Sequence, residues 1–186
     1  MEPKEILAEM EHKMETSIEV LRKELAGVRT SKASPTLLDG ILVEAYGAEV
    51  PINQVASVST PDARTIAVQP WDKQMIVEIE KAIQKAELGL TPNSDGNVIH
   101  LPIPPLTEDR RREYVKLVKK LGEECKISIR NVRRDANDRL KKEEKDGNIT
   151  EDENKRLHKT VQDTTDLYIG NVDETLQKKE EEIMEI

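Results

Sequence analysis

The sequence has no phenylalanine, one tryptophan, three tyrosines and one cysteine in 186 residues. A single cysteine, Cys125, excludes an internal disulfide and any multi-cysteine metal site, so redox chemistry drops out. No apolar run approaches the ~18 residues of a membrane span, and the opening Met1-Glu2-Pro3-Lys4-Glu5 has neither region of a secretory leader. A cytoplasmic protein that does not meet the membrane is expected. Both glycine-rich phosphate loops are missing, as is the Gly-x-Ser-x-Gly elbow. His12, His100 and His158 fall on three different predicted elements at no ligand spacing, and Cys125 reads as a packing thiol on an apolar helix stripe. No metal, no cofactor and no catalytic centre are expected.

Charge is what the chain has instead. Charged residues make up 35% and hydrophobic ones 36%, a balance that suits long helices with one thin apolar stripe each. The net charge of −8 argues against a nucleic-acid partner, but it is distributed unevenly. By segment it is −2 for residues 1–31, −6 for 32–109, +8 for 110–142 and −8 for 143–186.

Ile6, Leu7, Met10, Met14, Ile18, Leu21, Leu25 and Val28 recur every three or four positions and predict an amphipathic helix, ending before Ser34-Pro35. Residues 41–46, 52–58, 64–69 and 98–103 are short Val/Ile/Thr-rich stretches between turn residues and predict strands. A helix over 72–85, capped by Asp72, is predicted between them. Thr107 then caps a long helix reaching Asp146-Gly147, its stripe read as Tyr114, Leu117, Leu121, Cys125, Ser128, Val132 and Ala136. Thr150-Glu151-Asp152-Glu153 has capping-box spacing and starts the last helix, striped by Leu157, Val161, Thr164, Tyr168, Val172, Leu176 and Ile183. The expected fold is α+β. Residues 1–30 and 106–186 form a long antiparallel three-helix bundle, into which 31–105 is inserted as a small β/α/β domain. Two narrow chain crossings, at Thr30, Ser31 and Lys32 and at Pro104 and Pro105, suggest a hinge.

Within 110–142 thirteen basic residues accompany five acidic ones. At 100° per residue, Arg112, Lys116, Lys119, Lys126, Arg130, Arg133, Arg134 and Lys141 fall within an arc of about 100°, opposite the expected stripe. Such a ridge can be a solvated helix face, but the scarcity of acids and the Arg130-Asn131-Val132-Arg133-Arg134 cluster favour phosphate, which arginine grips bidentately. With few aromatics to stack on bases, a structured RNA backbone is the expected partner.

Several runs in order give the chain a resemblance: Arg29-Thr30-Ser31-Lys32-Ala33-Ser34-Pro35, Leu37-Leu38-Asp39-Gly40, Glu87-Leu88-Gly89-Leu90-Thr91-Pro92-Asn93, Pro104-Pro105-Leu106-Thr107-Glu108-Asp109-Arg110-Arg111 and Ile129-Arg130-Asn131-Val132-Arg133-Arg134-Asp135. Over nearly its whole length it resembles the bacterial ribosome recycling factors. The resemblance implies an L-shaped, two-domain, monomeric translation factor that enters the post-termination ribosome and, with elongation factor G and GTP hydrolysis by that partner, separates the subunits. It further implies that the bundle lies on large-subunit ribosomal RNA, with Arg130 and Arg133 as principal contacts and Arg111 and Arg29 in support. The family pattern has Gly where this chain has Ser31 and Arg where it has Lys32, so a left-handed backbone at Ser31 would be strained. Two rival readings are a helical RNA-backbone-binding or coiled-coil adaptor without recycling activity, and an RNA-modifying enzyme. The adaptor would need a large exposed apolar patch, and the enzyme a nucleophile, metal or cofactor signature.

Overall fold

The computed structural model describes residues 2–185. The chain runs α1 (Pro3–Ala26), β1 (Leu42–Ala45), β2 (Ala48–Pro51), β3 (Ala56–Asp62), β4 (Thr65–Pro70), α2 (Ile76–Lys85), β5 (Asn93–Ser94), β6 (Ile99–Pro102), α3 (Glu108–Lys145) and α4 (Glu151–Met184). It is an α+β chain with helices at both ends and strands between. Among the described residues, no helix is long and apolar enough to cross a membrane. Two compact units result: the first takes the chain up to Val28 together with Arg112–Glu181, and the second takes Arg29–Arg111 with the chain from Glu182 onward.

In the first unit α1 buries the stripe its spacing predicts, with Ile6, Met10, Met14, Ile18, Leu21 and Leu25 all inaccessible. Pro3 stands in the first turn, where its missing N–H costs nothing, and the Glu2 N–H donates to the Glu5 carboxylate at 3.1 Å. The link from α3 to α4 is tight. Gly147 takes φ +79 past the end of α3, and at Thr150 the capping box closes in both directions, Thr150 N–H to Glu153 Oε2 at 2.8 Å and Glu153 N–H to Thr150 Oγ1 at 3.1 Å. Along α4, Val161, Val172, Leu176 and Ile183 are buried as expected. Leu157, Thr164 and Tyr168 are only half-buried, and Thr165 is buried with its hydroxyl donating to the Val161 carbonyl at 2.7 Å.

On α3 the buried face differs from the expected one. Val118, Cys125, Ile129, Ala136 and Leu140 are buried, whereas Leu117 is 40% exposed and Ser128 is exposed. At 100° per residue the buried direction is turned by roughly 55–60° from the predicted stripe. The reason is packing. α3 carries apolar residues around more than half its circumference, and the arc that can meet α1 and α4 together is the one containing Val118, Ile129 and Leu140. Gly122 lies on that arc beside Leu176 of α4; a β-carbon there would run into the Leu176 side chain, so the two helices approach closely at this position.

The second unit is built on two antiparallel sheets, the hairpin β1–β2 and a four-stranded sheet in the order β3-β4-β6-β5. Its core holds Leu38, Val43, Ile66, Val68, Ile79, Ile83, Ile99 and Leu101. The predicted strands at 41–46 and 98–103 contain β1 and β6, and the one at 64–69 overlaps β4, which runs one residue further to Pro70. The stretch 52–58 divides, since Ile52–Gln54 makes a 3-10 turn and β3 begins only at Ala56. Pro61, read as a strand boundary, lies inside β3; that strand pairs only with β4, so at the sheet edge a missing N–H is tolerated. Tyr46 and Gly47 form the two-residue turn between β1 and β2 with φ +51 and +81, a left-handed pair that matches the strand twist. Asp72 caps the turn leading into α2 by accepting from the Gln74 N–H at 3.0 Å.

Candidate nucleic-acid interface

The basic residues singled out on α3 belong to the first unit, and Arg29 and Arg111 belong to the second. Because the buried face of α3 is turned, the ridge lies beside it instead of opposite, and its members are unequal. Arg112, Lys116, Lys119, Arg130, Arg134 and Lys141 are exposed. Among the described residues, Lys116, Lys119, Arg130, Arg134 and Lys141 have no hydrogen-bond or ion-pair partner for their side chains. Arg133 and Lys126, on the edge next to the core, are half-buried and engaged. Arg133 donates to Gln162 Oε1 of α4 at 3.3 Å, and Lys126, whose side chain is 15% exposed, pairs with Asp173 of α4 at 2.5 Å and with Glu123 at 3.7 Å. The ridge thus grades from tethered cations at the α4 seam to free ones facing water. Over the 29 steps from Arg112 to Lys141 it extends about 43 Å along a straight helix.

Turning the buried face brings in one cation the sequence reading left out. Lys120 sits about 40° outside the predicted arc, yet it points almost directly away from the core found here and is exposed. Only the true direction of the core could have marked it. Arg139, which the predicted arc does not include, is held by Glu9 of α1 at 2.7 Å and by Asp135 at 3.1 Å, and both contacts raise its pKa. The carboxylate of Glu9 is lowered in turn by Lys13 and Arg139. This cluster ties α1 to α3.

In the second unit, Arg111 is buried, with its guanidinium donating to the Met184 carbonyl at 3.3 Å and its Nε lacking a partner among the described residues. Arg29 is half-buried, with its guanidinium lying over Gly89. Thr30 and Ser31 are buried, and Pro104 and Pro105 are exposed. Ser31 has no left-handed backbone, so replacing glycine there carries no strain. Lys32 pairs with Glu185 at 2.9 Å, the main cause of its raised pKa, and its N–H donates to Thr30 Oγ1 at 3.2 Å.

Cys125 is buried against α1, with its thiol 3.5 Å from the Ser17 carbonyl, and burial followed by the nearby Glu24 charge pushes it up to about 11. A thiol in that state is a poor nucleophile. His100 faces Asp95 at 3.4 Å, while His12 and His158 lie on α1 and α4.

A family model described as ribosome recycling factor matches residues 21–184. Similar proteins include the ribosome-recycling factor of Halalkalibacterium halodurans, 54% identical over 98% of this chain and 99% of that protein. Those of Bacillus subtilis, at 54%, and Symbiobacterium thermophilum, at 53%, are covered to the same extent. Among solved structures, a solution structure of the ribosome recycling factor covers 100% of this chain and 99% of its own, with a TM-score of 0.78 and 43% identity. Another match, described as models for the T. thermophilus ribosome recycling factor and the E. coli elongation factor G bound to the E. coli post-termination complex, covers both chains fully with a TM-score of 0.69 and 46% identity. Matched over residues 21–184 by the family model and over 98% of its length by a relative of 54% identical sequence, the chain belongs to the ribosome recycling factor family.

Proposed function

We propose that this chain is a cytoplasmic, non-enzymatic translation factor that binds post-termination ribosomes and, together with elongation factor G, separates them into subunits for a new round of initiation. The observation that carries the reading is the α3 ridge, whose exposed cations Lys116, Lys119, Arg130, Arg134 and Lys141 have no side-chain partner among the described residues, on a chain similar throughout to a recycling factor described with elongation factor G bound to the post-termination complex. Arg130, Arg134, Lys116 and Lys119 meet ribosomal RNA phosphates as they stand. Arg133 and Lys126 reach theirs by giving up Gln162 and Asp173, and Arg112 extends the track. Arg29 and Arg111 support the contact, Arg111 by fixing the start of α3 to the Met184 carbonyl. The division of labour follows the two blocks read from the sequence, 1–30 with 106–186 holding RNA and 31–105 moving about Thr30, Ser31, Lys32, Pro104 and Pro105. GTP hydrolysis belongs to the partner, and the chain converts binding into displacement of one subunit from the other.

The test is sedimentation of post-termination ribosomes incubated with the protein, elongation factor G and GTP. Free subunits are expected only when all three are present. Stable binding without splitting would favour the adaptor reading instead.

A further inference from the structure

On the second unit a cavity of about 470 Å³ opens between the Pro35–Leu38 turn, the Pro51–Asn53 segment and the start of β3, with Trp71 as one wall and Asp39 at its rim. The chain's only tryptophan, Trp71, is 68% exposed, and Tyr46 at the neighbouring hairpin turn is 84% exposed. Exposed aromatic side chains of this size are unusual unless something covers them. The Trp71 backbone N–H donates to the Val55 carbonyl at 3.2 Å, which fixes the main chain that carries the indole, and the Tyr46 hydroxyl donates to Asp72 Oδ2 at 3.0 Å, which fixes its ring. Tyr46 takes its left-handed φ of +51 as part of the tight β1–β2 turn, which presents the ring at the tip of the hairpin. The carboxylate of Asp39, beside Gly40 in the Leu37-Leu38-Asp39-Gly40 run that the RNA ridge leaves unexplained, has no partner among the described residues.

We propose that this cavity is a docking site for an arginine-bearing segment of a protein partner, with the guanidinium stacked on the Trp71 indole and paired with Asp39. Three features select that occupant. An indole face attracts a cation, and the planar guanidinium alone can lie on the ring while its edge meets a carboxylate. Pro35, Pro51 and the half-buried Val58 offer an apolar floor to the neighbouring residue of the segment. A free carboxylate at the rim repels phosphate, which turns RNA away from this face and leaves it to a basic protein.

Trp71 reports on the site alone, since no other tryptophan contributes to the emission. The full-length protein is titrated with the capped tripeptide Leu-Arg-Leu and with its lysine and citrulline counterparts, followed by indole fluorescence. A saturable change is expected for arginine, weaker for lysine and absent for citrulline. Asp39→Asn should weaken arginine binding about fivefold, the scale of a solvent-exposed charged contact. Trp71→Leu, followed instead by the amide resonances of Asp39 and Gly40, should lose the response. Equal responses to arginine and citrulline, or an unchanged titration in Asp39→Asn, would overturn the assignment. So would saturable quenching by oligouridylate in place of the arginine peptide.

Discussion

Replacing Arg130 with alanine removes an exposed guanidinium that has no partner among the described residues. Thermal unfolding should therefore change by no more than about 0.5 kcal/mol, the usual range for surface positions. If Arg130 grips a phosphate, the loss on binding is that of a hydrogen-bonded charged contact, ~1.5–3 kcal/mol, or roughly 10- to 150-fold in affinity. Arg133→Ala should differ in kind. It also breaks the 3.3 Å bond to Gln162, so it gives up about 0.5 kcal/mol of bundle stability and loses somewhat less affinity, because the wild-type side chain must leave Gln162 in order to bind. Lys126→Ala lies at the far end of the series: it breaks the pair with Asp173, whose own side chain is 58% exposed, for a stability cost of about 1 kcal/mol or less. The assay is pelleting with ribosomes across a salt series beside thermal unfolding of each variant. Each lost phosphate contact should reduce the slope of log affinity against log salt by ~0.7–0.9. An Arg130→Ala protein with wild-type affinity and an unchanged slope would show that the free cations merely face solvent, and the ridge would cease to be the RNA site.

The turned face of α3 is checked by Ile129→Ala, which empties a fully buried position and should cost ~2–5 kcal/mol in urea unfolding, whereas Leu117→Ala on the originally expected stripe should cost less than about 1 kcal/mol. At Gly122→Ala the methyl meets Leu176, and overpacking of ~1–3 kcal/mol should exceed the ~1 kcal/mol that alanine gains in a helix. Adding Leu176→Ala should make the alanine at 122 favourable, so additive effects in this cycle would refute a close contact. The folded-state pKa of Glu9 is depressed, so its contribution is present above 4.5 and disappears as pH falls through the folded value. The difference in Tm between the wild type and Glu9→Gln should thus be seen at neutral pH and close in acid; a gap that persists at low pH would deny the charge pairing.

What could be read from the sequence was local. The stripe of α1, the Thr150 capping box and the Asp72 cap each depend on residues within a few positions of one another, and they stand where spacing places them. The face of α3 could not be chosen that way, because Leu117 and Ile127 on one side compete with Val118 and Ile129 on the other, and the winner is set by what α1 and α4 bring from far along the chain. The same holds for the inequality within the ridge. Counting charges finds Arg133 and Lys126, but Gln162 and Asp173, which restrain them, are distant in sequence. Strands β2 and β5 escaped notice for a different reason: four residues and two residues carry no period, and their pairing is imposed by the adjoining turn and by β6.

The order of elements along the chain also bears on how the protein is made. α1 leaves the ribosome first, with Ile6, Met10, Met14, Ile18, Leu21 and Leu25 facing no partner, because the helices that cover them begin at Glu108 and Glu151. At ~5–20 residues per second, the roughly eighty residues in between take about 4–16 s to synthesise, long compared with the time a small unit needs to collapse. In that interval the strands of the second unit can close on their own core while the first helix waits as an amphipathic segment whose methionines and leucines suit a chaperone. Once α3 and α4 emerge, their short connection lets them pair as a local hairpin onto which the waiting helix docks last. A nascent chain stalled before Glu108 should for that reason hold α1 in its most aggregation-prone form, which puts the vulnerable stage of the molecule's life in its own synthesis and not in its service.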